Sequence, residues 1–341
     1  MRFYKDPKKI YFDSAKEGPL YYELLNWRNN YEKKSLIDKS LLRLNHKNFV
    51  DNVAKSVSDF FEVKSGDVFF TNSFSRGFHS LITNLKGKPL FLLAEDDYPS
   101  ISESLNSLGF DIIYIKNDSS IEKNIQNGIK KYNPDFLVIS IVQWIDGLKI
   151  DIDFLKSLKS NFKNLTIIGD GTQFCGTSKF NFNDSPFDVI ISSGYKWMLA
   201  GYGIAFMLVK KHFYKNKFIN SSKVEFKKSI DIGHYNILAI GSLLFSINKL
   251  KIEKIEKKLI DLSINLKREL MNIGMLNSKI INRKDHSTIF NINDKDGKLY
   301  DYLTKNDFVC SKRGEGTRIS LNFFNTKAEI KKLIIALKNF N

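Results

Sequence analysis

Only two cysteines, Cys175 and Cys310, occur in 341 residues. Two thiols cannot build a disulfide framework or complete a four-cysteine zinc site, and their scarcity suits a reducing compartment, so a cytoplasmic location is the expectation. Six prolines and nineteen glycines exclude collagen-like and low-complexity architectures. No apolar run reaches the length of a membrane span. The longest uncharged stretch, between Asp231 and Lys249, carries Gly233, His234, Tyr235, Asn236 and two serines and reads as a buried helix. The opening residues are positively charged but lack the apolar centre of a secretory signal, so neither export nor membrane association is expected. Acidic residues are outnumbered 37 to 53 by basic ones, giving a net charge of +16. That excess raises the question of nucleic acid, yet the charge is dispersed. Its densest stretch, Lys249 to Arg268, interleaves Lys251, Lys254, Lys257 and Lys258 with Glu253 and Glu256, the pattern of a solvated helix face. Specific nucleic-acid binding is therefore not expected.

What is present is enough chain for about two domains. After an amphipathic stretch from about Asp38 to Glu62, short β-rich apolar runs alternate with helical patterns, the signature of a mostly parallel sheet covered on both faces. Strands are expected at Asp67 to Thr71, Pro89 to Ala94, Asp111 to Ile115, Phe136 to Val142, Leu165 to Gly169, Asp188 to Ser192 and Gly203 to Val209. Helices are expected at Gly77 to Asn84, Tyr98 to Leu108, Ser120 to Lys131 (capped by Ser119 or Ser120) and Ile152 to Lys159 (capped by Asp151). After His234 one long amphipathic helical region should reach about Met271. A smaller α+β part follows, with strands His286 to Ile292, Phe308 to Lys312 and Thr317 to Phe323, a helix at Lys298 to Lys305, and a closing helix fixed by the Thr326 and Glu329 capping box. The expected organisation is an N-terminal segment (1–20), a large α/β domain (21–233) and a long connecting helix with a small α+β domain (234–341), divided near Ser222 to His234.

Ligands of open α/β sheets bind at the carboxyl ends of the strands. Two runs end there in unusual residues: Ile167-Ile168-Gly169-Asp170-Gly171-Thr172-Gln173, with a carboxylate closing an apolar strand, and Ile190-Ile191-Ser192-Ser193-Gly194-Tyr195-Lys196-Trp197, with a lysine in an apolar setting. A buried carboxylate needs a cationic or hydrogen-bonding partner, and such a lysine is either functional or reaching for solvent.

Asp-Gly-x-Gln followed by Ser-Gly-Tyr-Lys-Trp resembles the cofactor core of the class V aminotransferases, the group that includes cysteine desulfurases, kynureninases and isopenicillin N epimerases. Four further fragments stand in the family's order: Ile10 to Ala15, Glu95 to Ser100, Gln143-Trp144-Ile145-Asp146-Gly147, and Arg318-Ile319-Ser320 through Thr326. The resemblance implies the fold type I of pyridoxal-phosphate enzymes: an α/β protein with a mostly parallel seven-stranded sheet and a small α+β C-terminal domain. It implies pyridoxal 5′-phosphate as cofactor, held as a Schiff base on Lys196, whose buried amine can act as nucleophile and proton shuttle. Asp170 would keep the ring nitrogen protonated, Gln173 would meet the phenolic oxygen, and Tyr98 would stack on the ring. The phosphate would lie at a helix N-terminus, beside the loop Thr71 to Gly77, which resembles the family's Gly-Thr-Thr-Glu-Gly with Phe74 and Ser75 at the Thr positions, and beside Ser193. Arg76 either adds charge there or lies on the surface. Tyr195 stands where many members have histidine. His234, in Gly233-His234-Tyr235-Asn236, resembles the segment that reaches into a neighbouring subunit's site, implying a homodimer. Arg318 is the expected fork for the α-carboxylate of an amino-acid substrate, with Arg313 assisting, Ala15 and Trp144 nearby, and Lys16 placed to meet a second anionic group.

A cysteine desulfurase needs a thiolate on a mobile loop. Cys310 sits in the apolar run Phe308-Val309-Cys310 and Cys175 follows Phe174, so both read as buried and structural, which disfavours that activity. Ala200-Gly201-Tyr202-Gly203 replaces the usual Gly-Pro-x-Gly. Transamination, elimination and epimerisation share the same lysine, aspartate and arginine after a common quinonoid. Transamination is the expectation because it needs no extra residue, with a carbon–sulfur or β-elimination lyase or an epimerase as alternatives. A non-catalytic basic binding protein would have no need of the lysine or the aspartate.

Overall fold

The structure, a computed structural model, describes all residues except 4, 5, 7, 220, 221, 232 and 341. Residue 232, inside the expected domain boundary, thus lies outside the described residues. Strand β1 (Ile10–Tyr11) leads into three helices, α1 (Tyr22–Asp38), α2 (Ser40–Leu44) and α3 (His46–Phe60). Next come β2 (Gly66–Thr71), α4 (Phe74–Ile82), β3 (Leu90–Ala94), α5 (Pro99–Ser107), β4 (Asp111–Ile115), α6 (Ile121–Tyr132), β5 (Phe136–Ser140), α7 (Ile152–Asn161), β6 (Thr166–Asp170), β7 (Val189–Ser193) and β8 (Ala205–Lys210). The chain ends with α8 (Lys223–Ile230), α9 (Ile237–Lys249), α10 (Ile252–Asn272), β9 (Ile289–Asn293), α11 (Lys298–Lys305), β10 (Phe308–Val309), β11 (Ser311–Arg313), β12 (Gly316–Ser320) and α12 (Lys327–Phe340).

The seven expected strands form one sheet in the order β2-β8-β7-β6-β5-β3-β4. All neighbours are parallel except β8, which runs antiparallel to both β7 and β2. Every residue of β5, β6 and β7 is buried, which is why these strands read as continuous apolar runs rather than alternating ones. Successive side chains still point to opposite faces. Ile167 and Ile190 join one hydrophobic cluster, and Ile168 and Ile191 join the other. The central strands therefore terminate together in polar residues: Ser140 pairs with Asp170, and β7 closes on Ser193.

The C-terminal part forms a three-stranded antiparallel sheet, β11-β12-β9. The N-terminal segment joins the two sheets. β1 pairs in parallel with β10, and Asp13 bridges to Ser320 of β12. A few residues on, the Gly18 amide donates to the Tyr195 carbonyl at 2.9 Å, in the turn that carries Lys196. A Cβ at Gly18 would lie 1.9 Å from the Lys196 carbonyl oxygen, so only glycine permits this approach.

Four local expectations change. The long helix after His234 is two helices, because Leu250 adopts φ −69°, ψ 111° and keeps its side chain buried. The break lets α10 turn its stripe of Ile255, Leu259, Leu262, Leu266 and Leu270 inwards. The expected strand Phe308 to Lys312 divides at Cys310, since Phe308–Val309 pairs with β1 and Ser311–Arg313 pairs with β12. Helix α4 starts at Phe74 rather than Gly77, because the Ser73 hydroxyl caps the Arg76 amide at 3.2 Å. At α6 neither Ser119 nor Ser120 supplies a side-chain cap. The Asp118 carboxylate holds the Ser120 amide at 2.8 Å instead. Asp151 caps α7 as expected, and the Thr326 and Glu329 box is formed in both directions. Among the described residues no helix is long and apolar enough to cross a membrane.

Candidate functional site

The carboxyl ends of β5, β6 and β7 and the N-terminus of α4 surround one cavity. Asp170 and Lys196, both nearly inaccessible, face it together. Burial disfavours the charged form of each: it pushes the Asp170 carboxyl up and the Lys196 ammonium down, while their mutual attraction opposes both shifts. The Thr172 amide donates to Asp170 Oδ1 at 2.8 Å, fixing the carboxylate's orientation. The pair is a carboxylate in need of a cation beside an amine that desolvation makes nucleophilic.

On the α4 side, Ser193 Oγ accepts the Phe74 amide at 2.9 Å, and its own proton is left to donate. Ser75 donates to Ser100 Oγ at 2.9 Å. These hydroxyls border a helix N-terminus whose dipole stabilises an anion. Arg76 is exposed, which places it on the surface side of the two options open from sequence. Gln173 lines the same cavity. Its Oε1 accepts from the Trp197 indole at 2.8 Å, and because an indole only donates, the amide orientation is settled. Its Nε2 donates one proton to the Ala15 carbonyl at 2.9 Å and keeps a second.

Tyr98 enters from the start of α5, with Pro99 at the first helical position. Its ring meets Phe74 and Trp144 edge-on, with centroids 5.9 and 6.0 Å apart. Asp97, which sequence reasoning passed over, holds this corner. It accepts the Tyr98 amide at 2.7 Å, the Ser140 amide at 3.0 Å and the Ser140 hydroxyl. Asp97→Asn would turn one acceptor into a donor facing these three donors. We expect it to lower stability by about 1–3 kcal/mol, the usual cost of an unsatisfied buried group. Thermal unfolding checks this, and an unchanged midpoint would remove Asp97 from that role.

Arg318, on β12, lies one residue behind the cavity wall: its Nη1 donates to the Trp144 carbonyl at 2.7 Å, and Trp144 itself lines the cavity. The guanidinium is 1% exposed, and burial pushes it down to about 10. Ala15 is likewise one contact away, through Gln173. Tyr195 lines the cavity and stacks on Tyr202 at 4.7 Å, with Tyr202 donating to Glu17 at 2.9 Å. Arg313 is partly exposed, with Nη1 turned to the Lys312 carbonyl, and Lys16 is exposed. His234 does not line the cavity within this chain. It lies on an exposed segment, with Nε2 at 3.1 Å from Arg43 Nη2.

The cavity also gathers Thr172 and Ser140, neither of which was singled out from sequence. Thr172 Oγ1 accepts the Ser193 amide at 3.2 Å, so it ties β6 to β7 at the site. The signal was its place between Asp170 and Gln173. For Ser140 it was the polar end of an otherwise apolar strand, and for Asp97 its place beside Tyr98. A wider groove opens near Asp146 and Lys279, but those two charges pair with each other at 3.4 Å. The donor set assigns the chemistry to the smaller cavity: a buried amine for an aldehyde, a carboxylate for a ring nitrogen, hydroxyls at a helix start for a phosphate, and aromatic edges for a ring. These residues fit pyridoxal 5′-phosphate.

The family model for aminotransferase class-V matches residues 10–333. No curated protein sequence matches the chain. Solved structures with the same fold include a NifS-like protein from Rickettsia africae, at 19% identity and TM-score 0.78, with 97% of this chain and 99% of that one covered. A cystine C–S lyase matches at 13% identity and TM-score 0.81, covering 97% of each chain. A cysteine desulfurase from Thermococcus onnurineus matches at 14% and 0.81, covering 100% of this chain and 99% of that one. At these identities the likeness is one of fold.

Proposed function

This chain belongs to the class V aminotransferase family, and from that premise we propose that it is a lyase that removes a β-substituent, sulfur above all, from an amino acid. Its cofactor is pyridoxal 5′-phosphate. Bound, that group supplies an electron sink for negative charge developing at the substrate's Cα. The observation that carries the elimination reading is the state of the thiols. The two cysteines of the chain are both buried, and burial pushes each up to about 12. Burial keeps both from serving as thiolates at neutral pH, so if a carbon–sulfur bond is cleaved the chain offers the sulfur no acceptor and it leaves on a fragment of the substrate. The fold likeness to a cystine C–S lyase supports this reading over the transamination expected from sequence.

In this reading the residues divide the work. Lys196 Nζ, whose ammonium burial pushes down towards the neutral amine, would hold the aldehyde and would take the Cα proton, which becomes available to the departing sulfur. Asp170, held by the Thr172 amide, would pair as a carboxylate with the ring nitrogen and favour its protonated form. Ser75, Ser193 and the start of α4 would hold the phosphate, and the second Nε2 proton of Gln173 would meet the phenolic oxygen. Arg318 orients the α-carboxylate. Water completes the balance: an S-substituted cysteine and water give a thiol, pyruvate and ammonium.

The test is to supply the holoenzyme with L-cysteine or L-cystine, with and without a 2-oxo acid. We expect pyruvate and ammonium in equal amounts without the acceptor. Amino transfer that appears only when the 2-oxo acid is present would establish transamination and overturn elimination.

A further inference from the structure

The surroundings of Arg318 hold more than a carboxylate fork. Nη1 is engaged by the Trp144 carbonyl at 2.7 Å, but Nε and Nη2 have no hydrogen-bond acceptor among the described residues. Asp13 Oδ1 stands 3.5 Å from Nη2. That distance balances charge but is too long for a hydrogen bond. Oδ1 itself has no hydrogen-bond donor among the described residues, while Oδ2 accepts from Ser311 Oγ at 2.5 Å. Both side chains are almost inaccessible. The edge of the guanidinium that grips a carboxylate bidentately is therefore without hydrogen-bond partners, buried behind the cavity wall with an anion already beside it.

Resting on the reading that Arg318 takes the substrate's α-carboxylate, we propose that Asp13 is a positioning residue and placeholder: it neutralises Arg318 in the free site and takes up a proton when the carboxylate arrives. Two buried carboxylates on one guanidinium cannot both stay ionised at low cost. The substrate's gains two N–H donors, whereas Asp13 Oδ1 has none, so Asp13 is the one to yield. Burial already pushes the Asp13 carboxyl up. The charged or titratable groups around it are Arg318, Arg313, Lys16, Lys196, Tyr11 and Cys310. The cations Arg318, Arg313 and Lys16 oppose that uptake but do not remove the like-charge contact.

The sign follows from the proton count. Where free Asp13 is already protonated, carboxylate affinity is constant with pH. Above that point binding requires a proton, and affinity falls by up to about tenfold per pH unit. The experiment titrates the holoenzyme's visible absorbance with L-alanine and with ethylamine, which shares the amine but lacks the carboxylate, from pH 5 to 9. The ratio of the two dissociation constants isolates the carboxylate. We expect the ratio to rise with pH in the wild type and to be flat in Asp13→Asn. Ser311→Ala, which removes the hydrogen bond that favours ionised Asp13, should move the onset to higher pH, and it serves if Asp13→Asn does not fold. A flat wild-type ratio, a wild-type slope in Asp13→Asn or an unmoved onset in Ser311→Ala overturns the proposal. Equal binding of alanine and ethylamine at every pH overturns the Arg318 assignment, and the proposal with it. Because the readout is binding, the choice between elimination and transamination does not enter.

Discussion

Lys196→Ala is expected to abolish the absorbance band of covalently attached cofactor and to lower turnover by about 10⁴-fold or more. Two roles disappear together. The amine is the attachment point, and general base catalysis alone contributes about 10² to 10⁴. The native geometry suits both, since Lys196 is only 8% exposed and burial lowers its ammonium towards the neutral form. Lys196→Arg separates charge from chemistry, because a guanidinium stays protonated and cannot serve as base. Arginine should therefore be as inactive as alanine while still neutralising Asp170. Spectra and turnover of both variants check this, and appreciable activity in either would remove Lys196 from the chemistry.

Arg318→Ala carries the second large effect. Truncating one partner of a buried charge pair costs about 2–5 kcal/mol, or roughly 30- to 4000-fold in kcat/KM for an amino acid. Amines without a carboxylate should lose little. The variant also leaves Asp13 buried with no guanidinium at 3.5 Å, so the folded state should weaken as pH rises and Asp13 ionises. The sign is that of a carboxyl whose folded pKa lies above its unfolded one: its unfavourable contribution is absent at low pH and grows as pH passes the unfolded value. Arg318→Lys should recover part of the stability but little affinity, for lack of the fork. Substrate kinetics and thermal unfolding across pH separate the two effects. Equal losses for amino acids and amines would mean that Arg318 holds the fold rather than the substrate.

The strands and most of the cavity were legible in the sequence because one physical rule wrote both. A strand buried on both faces must be apolar throughout, so the polar residues that end it stand out, as Asp170 and Ser193 do. Tyr98, Gln173 and Trp144 were reached through fragments whose order along the chain resembled a family. What stayed hidden depends on contacts between distant segments. The place of Asp97 beside Tyr98 marked it only as part of a fragment and not as the residue that holds the end of β5, and nothing around Asp13 announces its pairing with Arg318. The split of Phe308 to Lys312 was equally invisible, since only the partners, β1 on one side of Cys310 and β12 on the other, separate the two halves. The gap between α9 and α10 carries neither proline nor glycine, so it too is set by what each helix packs against.

The N-terminal segment sets an order of events in the life of the chain. Residues 10–11 find their strand partner at 308–309, and Asp13 its bridge at Ser320. During synthesis these partners emerge about 300 residues after the segment that waits for them. Contacts of such sequence separation close slowly. The large sheet, whose strands end at Lys210, can assemble and present Asp170 and Lys196 well before the ribosome has finished. A nascent or C-terminally truncated chain should accordingly capture cofactor while remaining unable to select an amino acid, because Arg318 is made only after that sheet and the N-terminal segment has no partner until it arrives.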